Sequence, residues 1–367
     1  MFIPRNWLIT GGCGFIGRAL IREILGTDPL ARIRVLDNLS VGTRDDLGRV
    51  CDFAEAAADE QQAVPSLSSA TQAVQLFVGD ITDAGVCTRA CQETDIVVHL
   101  AANTGVYPSV LDPLGDCTNN VLGTLYLLEA SRQASVQGFV FASSGAPIGE
   151  VDPPVHEDMA PRPVSPYGAG KLAGEGYCSA YFRTFGLKTA ALRFGNVYGP
   201  GSTHKTSVVA KFIKQALQGE PCRIYGDGTQ TRDFIYIQDL IRAILTVALF
   251  DSKGIDAPLA GSAASCPKPV AASPWGEIYH IATNTEHTVN EMARMLKACL
   301  HSQGQEMHIE HVEAQPGDIK RTYADTSKAK QRLGWTYQVD LQDGLQRTVR
   351  WFLHQTGPMA PTTENKG

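Results

Sequence analysis

Short apolar runs alternate with longer amphipathic stretches through the first half of the chain. Runs of strand length occur at 7–10, 33–37, 74–78, 96–100, 138–142 and 189–193. The stretches between these runs, for example 18–25, carry apolar residues at helical spacing. Because strands that alternate with helices form right-handed βαβ units, this pattern predicts a parallel sheet with helices on both faces. The predicted fold class is α/β, with a doubly wound parallel sheet.

The pattern changes after residue 196. Two helical patterns, 207–218 and 288–301, are joined by irregular segments rich in Gly, Pro and charged residues. They predict a smaller, mixed C-terminal lobe that covers the carboxyl edge of the sheet, where ligands of such folds bind. The predicted boundaries are 1–195, about 232–251 and 276–284 for the larger domain, and 196–231 and 285–356 for the lobe.

Three segments stand outside this plan. Residues 54–73 are rich in Ala, Gln and Ser, and we expect an insertion whose first part is a short solvated helix. Residues 252–275 carry Gly, Ala, Ser and Pro with little periodicity, which favours a surface insertion. Residues 357–367 are expected to form a tail. Between these last two segments, 277–282 is predicted to be a strand that returns to the main sheet.

A glycine-rich turn follows the first predicted strand. Gly11, Gly14 and Gly17 permit a tight turn, a close approach of the backbone to a pyrophosphate, and packing of the next helix on the strand. The N-terminus of that helix offers N–H groups to phosphate oxygens. Asp37 ends the second strand, where a carboxylate accepts both ribose hydroxyls and repels a 2′-phosphate. This order of features predicts a Rossmann-type site for NAD rather than NADP; a flexible loop is the alternative.

Tyr167 and Lys171 stand four residues apart at the start of a helical pattern, so their side chains share one helix face. A phenol is a poor base at neutral pH, and a neighbouring cation favours its phenolate. We therefore expect Lys171 to lower the pKa of Tyr167. Ser143 and Ser144 follow the strand 138–142, where a hydroxyl can hydrogen-bond a substrate oxygen. The alternatives are a chance surface pair for Tyr167 and Lys171, and ordinary turn residues for the two serines.

Two polar residues beyond the sixth strand are candidates for binding an anionic substrate. Asn196 lies three positions beyond the end of that strand, and Arg232 ends a glycine-rich turn at 226–231. A guanidinium suits bidentate binding of phosphate, which favours a diphosphate ligand. An Arg232–Asp233 surface turn is the alternative for the second residue.

The bulk composition excludes several functional classes. The chain of 367 residues is 43% hydrophobic and 19% charged, as in globular proteins, and its net charge of −6 argues against nucleic acid or an anionic membrane as partner. No apolar run reaches the length of a membrane span, and the first strand begins too early to leave room for a signal peptide. Nine cysteines without a Cys-x-x-Cys pair predict reduced thiols, a cytoplasmic location and no metal site.

Taken together, these motifs resemble the extended short-chain dehydrogenase/reductase superfamily, in its NAD-dependent nucleotide-sugar epimerase and dehydratase branch. The resemblance runs from about Trp7 to Trp335 and is greatest to UDP-glucose and UDP-N-acetylglucosamine 4-epimerases. The segments that carry it are 10–17, 79–81, 99–102, 120–124, 165–171, 192–200, 226–233 and 323–325.

The resemblance implies an NAD cofactor, a UDP-sugar substrate and a homodimer formed through a four-helix bundle of helices 118–133 and 167–184. The implied catalytic residues are Ser144, Tyr167 and Lys171. The implied NAD contacts are Gly11, Gly14, Phe15, Ile16, Gly17, Asp37, Asn38, Asp80, Ile81, Leu100, Ala101, Ala102, Tyr167 and Lys171. The implied substrate contacts are Ser143, Ser144, Asn196, Arg232, Asp318 and Thr322.

The residues after Ser144 favour one reaction within the branch. Similar dehydratases carry an Asp-Glu pair there and decarboxylating relatives carry a Glu, whereas Gly145 and Ala146 cannot transfer a proton. The resemblance therefore implies C4 epimerisation of a UDP-sugar through a transient 4-keto sugar. The alternatives are a dehydratase, a decarboxylase or a 4-keto reductase of the same superfamily, and a non-catalytic NAD-binding scaffold.

The sugar is inferred from one position. By the same resemblance, Thr322 occupies the position at which strict UDP-glucose epimerases carry Tyr. The smaller side chain of Thr leaves room for an N-acetyl group. The predicted substrates are UDP-N-acetylglucosamine, UDP-glucose, or both. Two departures from the family pattern are Pro147-Ile148, which removes an aromatic residue from the sugar pocket, and Gln315, which removes a phosphate contact. Lys320 and Arg321 are the candidate replacements for that contact.

Overall fold

The computed structural model describes residues 4–56, 66–67, 72–250, 273–314 and 320–356. The strands are β1 (Asn6–Thr10), β2 (Arg32–Asp37), β3 (Phe53–Ala56), β4 (Val74–Val78), β5 (Ile96–His99), β6 (Gly138–Ser144), β7 (Thr189–Phe194), β8 (Asn196–Tyr198), β9 (Cys222–Tyr225), β10 (Thr231–Arg232), β11 (Phe234–Tyr236), β12 (Glu277–Ile281), β13 (His287–Thr288) and β14 (Ile309–Val312).

The helices frame these strands. They are α1 (Phe15–Thr27), α2 (Arg44–Gly48), α3 (Ala84–Ala90), α4 (Val106–Leu111), α5 (Pro113–Cys117), a π-helical turn (Thr118–Leu122), α6 (Gly123–Gln133), α7 (Pro166–Phe185), α8 (Val208–Leu217), α9 (Ile237–Ala248), α10 (Val289–His301), α11 (Ser327–Leu333) and α12 (Leu341–Thr356). The predicted helix 118–133 thus begins with a π-helical turn, a feature frequent at functional sites.

The main sheet has eight strands in the order β12-β7-β6-β5-β1-β2-β4-β3. Every neighbouring pair is parallel. The chain winds outward from β1 in one direction through β2 and in the other through β5, which is the doubly wound topology. The predicted α/β fold class is confirmed. The point where the winding reverses lies between β1 and β5, and the crevice above it is the expected ligand site.

Successive side chains of the central strands point to opposite faces of the sheet, so a hydrophobic core forms on each face. In β1, Trp7 and Ile9 join one buried cluster and Leu8 joins the other. The first cluster includes residues of α1 and α9, and the second includes residues of α3, α6 and α7. Strands buried on both faces explain why the sequence shows continuous apolar runs rather than alternation.

At their described ends, two predicted insertions differ from the prediction. Residues 53–56 form the edge strand β3, paired in parallel with β4, rather than the start of a solvated helix. The helical preference of the Ala-rich sequence is overridden there because Ala56 joins the buried cluster of β4. Trp275, which the prediction assigns to a surface insertion, is only 4% exposed. Its ring packs so closely on Gly138 that a Cβ at that position would lie 2.8 Å from it. Apart from 66–67, 72–73 and 273–275, the remainder of both segments lies outside the described residues, as does the tail 357–367.

Three two-stranded sheets lie outside the main sheet, β10 with β13, β8 with β11, and β9 with β14. Only the last of these falls wholly within the predicted lobe. The domain boundaries themselves remain a prediction. Within the described ranges, no helix has the length and apolar character needed to cross a bilayer. In the same ranges, no three potential metal-ligating side chains come together.

Candidate active site

A cavity of about 540 Å³ opens above the carboxyl ends of β1, β2, β5, β6 and β7. The predicted site residues that line it are Gly11, Gly14, Phe15, Ile16, Gly17, Asp37, Asn38, Ile81, Leu100, Ala101, Ala102, Ser143, Ser144, Tyr167, Lys171 and Asn196. Asp80, Arg232 and Thr322 do not line it. Asp318 lies outside the described residues. One crevice therefore collects most residues that the sequence singled out.

The glycine-rich turn adopts a geometry that larger residues would disrupt. Gly11 has a φ of +67°, and a Cβ on Gly17 would lie 2.5 Å from the Cα of Gly12. Gly14 caps α1 without a side-chain hydrogen bond, so the first N–H groups of the helix stay available on the cavity side. Phe15 and Ile16 carry two of these groups. Such a helix end binds phosphate oxygens.

Asp37 lies at the cavity wall and is held by the backbone. Its carboxylate accepts hydrogen bonds from the N–H of Cys13 at 2.9 Å and of Leu39 at 2.8 Å. Burial raises the pKa of the carboxyl, and these two hydrogen bonds oppose the rise. An anchored carboxylate at the end of β2 suits the two hydroxyls of an adenosine ribose.

Asp80 does not line the cavity, and its predicted cofactor contact remains a prediction. Its Oδ2 accepts a hydrogen bond from Asn38 Nδ2 at 2.8 Å, and its Oδ1 accepts from the N–H and hydroxyl of Thr82, both at 2.8 Å. Asn38 itself lines the cavity. The carboxylate therefore orients Asn38, and its Oδ2 retains capacity to accept a further hydrogen bond.

The Tyr167–Lys171 pair is formed as its spacing predicts. The Nζ of Lys171 lies 5.9 Å from the centroid of the Tyr167 ring and 4.9 Å from that of Phe141. It donates a hydrogen bond of 2.9 Å to the carbonyl oxygen of Ala142. Burial lowers the pKa of this ammonium to about 8. Lys171 is thus mostly protonated at pH 7, but a rise of about one pH unit is enough to remove its proton from half of the molecules.

The expected pKa of Tyr167 is wrong for the protein alone. Burial raises the pKa of the phenol, and a hydrogen bond with Ser144 opposes the rise. Lys171 is directed to a backbone carbonyl, and burial of the phenolate outweighs its effect.

The two serines of β6 point to different surroundings. The Oγ of Ser144 accepts a hydrogen bond of 3.2 Å from the N–H of Ala146, at the cavity. The Oγ of Ser143 donates to Glu175 Oε1 at 2.6 Å. Glu175 in turn pairs with Arg193 through two contacts of 2.7 Å. The predicted substrate contact of Ser143 is corrected accordingly, because its proton is committed to a buried ion pair.

Asp116 is a site residue that sequence reasoning missed. It is 3% exposed and its Oδ1 accepts a hydrogen bond of 2.9 Å from Asn120 Nδ2. Its Oδ2 is buried without a hydrogen-bond partner in the described part of the chain. Among the neighbouring charges, Asp116 has the largest influence on Lys171 and raises the pKa of that ammonium. The available signal was the Asp116/Asn120 pair, four residues apart at the start of a predicted helix.

These charges predict how activity depends on pH. Lys171 loses its proton as the pH rises through about 8, so turnover that needs its charge should fall above that pH. Asp116→Asn removes the anion that raises this pKa, so the alkaline limb of the kcat/KM profile should move to lower pH. The profile of each variant is measured in buffers of constant ionic strength.

Asp112→Asn is the matched control, because it removes a nearby exposed charge and leaves a residue that still caps α5. A shift of equal size in both variants, or a shift of the Asp116→Asn limb to higher pH, would contradict the role of Asp116.

On the substrate side, Asn196 is exposed in the cavity, whereas Arg232 lies on β10 and donates a hydrogen bond of 2.8 Å to the carbonyl oxygen of Thr231. Arg321 forms a surface ion pair of 2.6 Å with Glu286, so its guanidinium is occupied and it is a poor replacement for the missing phosphate contact. Lys320 is exposed.

The fold and the site define a dinucleotide-binding protein with a Tyr-Lys pair beside its cofactor crevice. The sequence pattern of the NAD dependent epimerase/dehydratase family matches residues 7–256, and the chain belongs to that family. NAD is its cofactor. The residues present fit NAD, because a glycine cradle, an uncapped helix end and an anchored ribose acid line the same cavity.

Three known proteins illustrate the similarity. A putative UDP-glucose 4-epimerase of Methanocaldococcus jannaschii is 32% identical over 350 residues, which is 94% of this chain and 97% of that protein. A dTDP-glucose 4,6-dehydratase of Streptomyces niveus is 31% identical over 351 residues, 94% and 92% of the two chains. The structure of a UDP-glucuronic acid 4-epimerase from Bacillus cereus with UDP-glucuronic acid and NAD aligns with a TM-score of 0.77 at 29% identity, covering 95% and 99%. Relatives thus include both epimerases and dehydratases.

Proposed function

We propose that the protein is a UDP-sugar 4-epimerase that acts on UDP-N-acetylglucosamine, UDP-glucose, or both. The observation that carries this proposal is the group formed by Ser144, Tyr167 and Lys171 at the cavity. The two positions that follow Ser144 carry no acidic side chain. Gly145 lacks a side chain and Ala146 carries only a methyl group. Among these residues, Tyr167 is therefore the one acid–base group, and it can serve one oxygen of the sugar.

The proposed mechanism follows from the placement of these groups. Tyr167, as phenolate, removes the proton from the sugar O4 and later returns it. Bound NAD supplies the two-electron acceptor and donor at C4. Lys171 stabilises the phenolate through its charge, and Ser144 holds the oxygen by a hydrogen bond. The 4-keto sugar turns over while its diphosphate stays anchored, and reduction from the opposite face gives the C4 epimer.

Elimination of water is the main competing reaction. Removing water across C5 and C6 requires a base at C5 and an acid at the departing hydroxyl. Gly145 and Ala146 stand where similar dehydratases carry those groups, and neither ionises. A Cβ added at Gly145 would contact nothing within 4 Å, so space alone does not explain the glycine. The absence of these acids favours epimerisation over dehydration.

The proposed acceptance of an N-acetyl group rests on Thr322. This half-buried residue begins a segment that the fold holds firmly. The carbonyl oxygen of Tyr323 accepts a hydrogen bond of 3.0 Å from the N–H of Val155, and Asp233 Oδ2 accepts one of 3.4 Å from the N–H of Ala324. Thr322 does not line the cavity described above, so the proposal requires the sugar to extend beyond that cavity toward this segment.

Thr322→Tyr should narrow the substrate range. We expect kcat/KM for UDP-N-acetylglucosamine to fall by about 10–200-fold relative to that for UDP-glucose, because the larger side chain occupies the acetamido space. Thr322→Ser is the control, since it keeps the volume small. Equal changes for both sugars would show that position 322 does not face the 2-substituent.

We also propose a homodimer formed through helices 118–133 and 167–184. Leu122, Tyr177 and Phe185 are exposed apolar residues in or next to these helices. Helices α4 and α5 pack against α7 and carry the exposed residues Leu111 and Leu114. An exposed apolar surface of this extent supports burial against a second copy. Sedimentation velocity at micromolar concentration measures the oligomeric state.

The proposed reaction is tested by incubating the purified protein separately with UDP-glucose, UDP-N-acetylglucosamine and UDP-glucuronate, without added NAD. Proton NMR should show the C4 epimer of at least one of the first two sugars. Accumulation of a 4-keto-6-deoxy sugar or a decarboxylated sugar would instead establish the dehydratase or decarboxylase alternative. If no sugar changes and NAD is bound, the non-catalytic scaffold becomes the better interpretation.

A further inference from the structure

The loop between β8 and α8 lines part of the cavity and is attached on both sides. On the lobe side, the Nζ of Lys214 donates hydrogen bonds of 2.9 Å to the carbonyl oxygens of Thr203 and Lys205. On the sheet side, the guanidinium of Arg18 donates one of 2.8 Å to the carbonyl oxygen of Gly201. The loop is therefore held in place over the helix α1 that begins at the glycine-rich turn.

A second attachment comes from Asp46, the residue that completes the cap of α2. Its carboxylate forms a buried ion pair of 3.0 Å with Arg18 and a hydrogen bond of 2.8 Å with His204 Nε2. Arg18 also donates to the carbonyl oxygen of Gly14 at 3.3 Å. Although Arg18 lines the cavity, its charge is thus already balanced by protein groups.

Lys205 differs from Arg18 in this respect. Its side chain lines the cavity, and its Nζ lies 5.9 Å from the ring centroid of Phe15, in the first turn of α1. Within the described residues, no hydrogen bond or ion pair engages its ammonium, and burial alone lowers its pKa. Lys205 is half-buried, and its unpaired positive charge at the cavity favours an anionic ligand that supplies the counter-charge.

We propose that Lys205 binds the diphosphate of NAD from the side opposite the glycine-rich turn. The N–H groups at the start of α1 and the ammonium of Lys205 would then contact one diphosphate from two directions. The diphosphate of a nucleotide sugar has the same chemistry, but the position of Lys205 over Phe15 places it at the cofactor end of the cavity. This inference depends on NAD binding and not on which sugar is the substrate.

The test compares Lys205→Met, Lys205→Arg and the unaltered full-length protein. We measure the NAD retained after gel filtration and, by calorimetry on nucleotide-free protein, the Kd of NAD and of UDP. Lys205→Met should weaken NAD binding by about 10–100-fold, the loss expected for one charge-assisted hydrogen bond, and leave UDP binding unchanged. Lys205→Arg should restore most of the affinity because it keeps the charge.

Thermal unfolding separates this role from a structural one. Lys205→Met should lower the Tm of the NAD-bound protein but not that of the nucleotide-free protein, in which the ammonium has no described partner to lose. Lys211→Met is the matched control, because it removes a lysine that contacts Tyr225 outside the cavity. An unchanged NAD affinity in Lys205→Met would overturn the proposal. Loss of UDP affinity would assign Lys205 to the substrate diphosphate, and an equal loss of Tm without NAD would make its role structural.

Discussion

Replacing Tyr167 by phenylalanine is expected to reduce kcat for 4-epimerisation by about 10²–10⁴-fold, the usual contribution of a positioned acid–base group. The phenol is the one proton-transfer group placed beside Ser144 and Lys171 at the cavity in the described structure. Removing one oxygen leaves the ring that Lys171 approaches, so packing should be preserved. Initial rates with the preferred UDP-sugar measure the effect.

Two measurements keep this result specific. The Tyr167→Phe protein should retain NAD and unfold at nearly the same temperature, which separates lost chemistry from lost structure. Tyr177→Phe is the matched control, since Tyr177 lies on the same helix but outside the cavity. Activity of Tyr167→Phe within a few-fold of the unaltered protein would remove Tyr167 from the mechanism.

Arg193→Met is expected to cause the largest loss of stability, about 3–5 kcal/mol in the free energy of unfolding. Both side chains of the Glu175–Arg193 pair are 2% exposed, and Glu175 would remain as a buried carboxylate without its cation. Ser143 would still donate to that carboxylate, but one neutral hydrogen bond does not balance the charge. Urea denaturation followed by circular dichroism measures the loss.

The double variant Glu175→Leu/Arg193→Met should recover much of this stability, because a buried ion pair replaced by apolar groups is often nearly neutral. Arg347→Met is the control, since the pair of Arg347 with Asp343 is exposed and should contribute no more than about 1 kcal/mol. A loss below about 1 kcal/mol for Arg193→Met would show that the pair does not support the sheet beneath the active site.

Local signals in the sequence predict the framework of the site well. The strand runs, Gly11 to Gly17 and the acid at Asp37 follow one another within a single βαβ unit, so their spacing alone brings them together. The Tyr167–Lys171 pair is likewise decided by helix geometry. The cavity collects these residues because parallel strands place their carboxyl ends at one edge.

The groups that tune the site could not be predicted in this way. Glu175 and Arg193 meet across a helix and a strand, and Lys205 reaches the first turn of α1 from a distant loop. The direction of the Tyr167 pKa depends on burial, which no short motif encodes. The edge strand β3 was missed because its helical preference is overridden by pairing with β4.

The central claim is that Tyr167 and its neighbours support reversible oxidation at the sugar C4, and an isotopic label tests it most directly. UDP-glucose and UDP-N-acetylglucosamine carrying deuterium at C4 are incubated with the protein in ordinary water, without added NAD, and the products are read by NMR and mass spectrometry. We expect the C4 epimer to form with the deuterium still at C4, since the label leaves and returns within one active site. Exchange of the label with solvent, or a dehydrated product carrying the deuterium at C6, would contradict the proposed epimerisation.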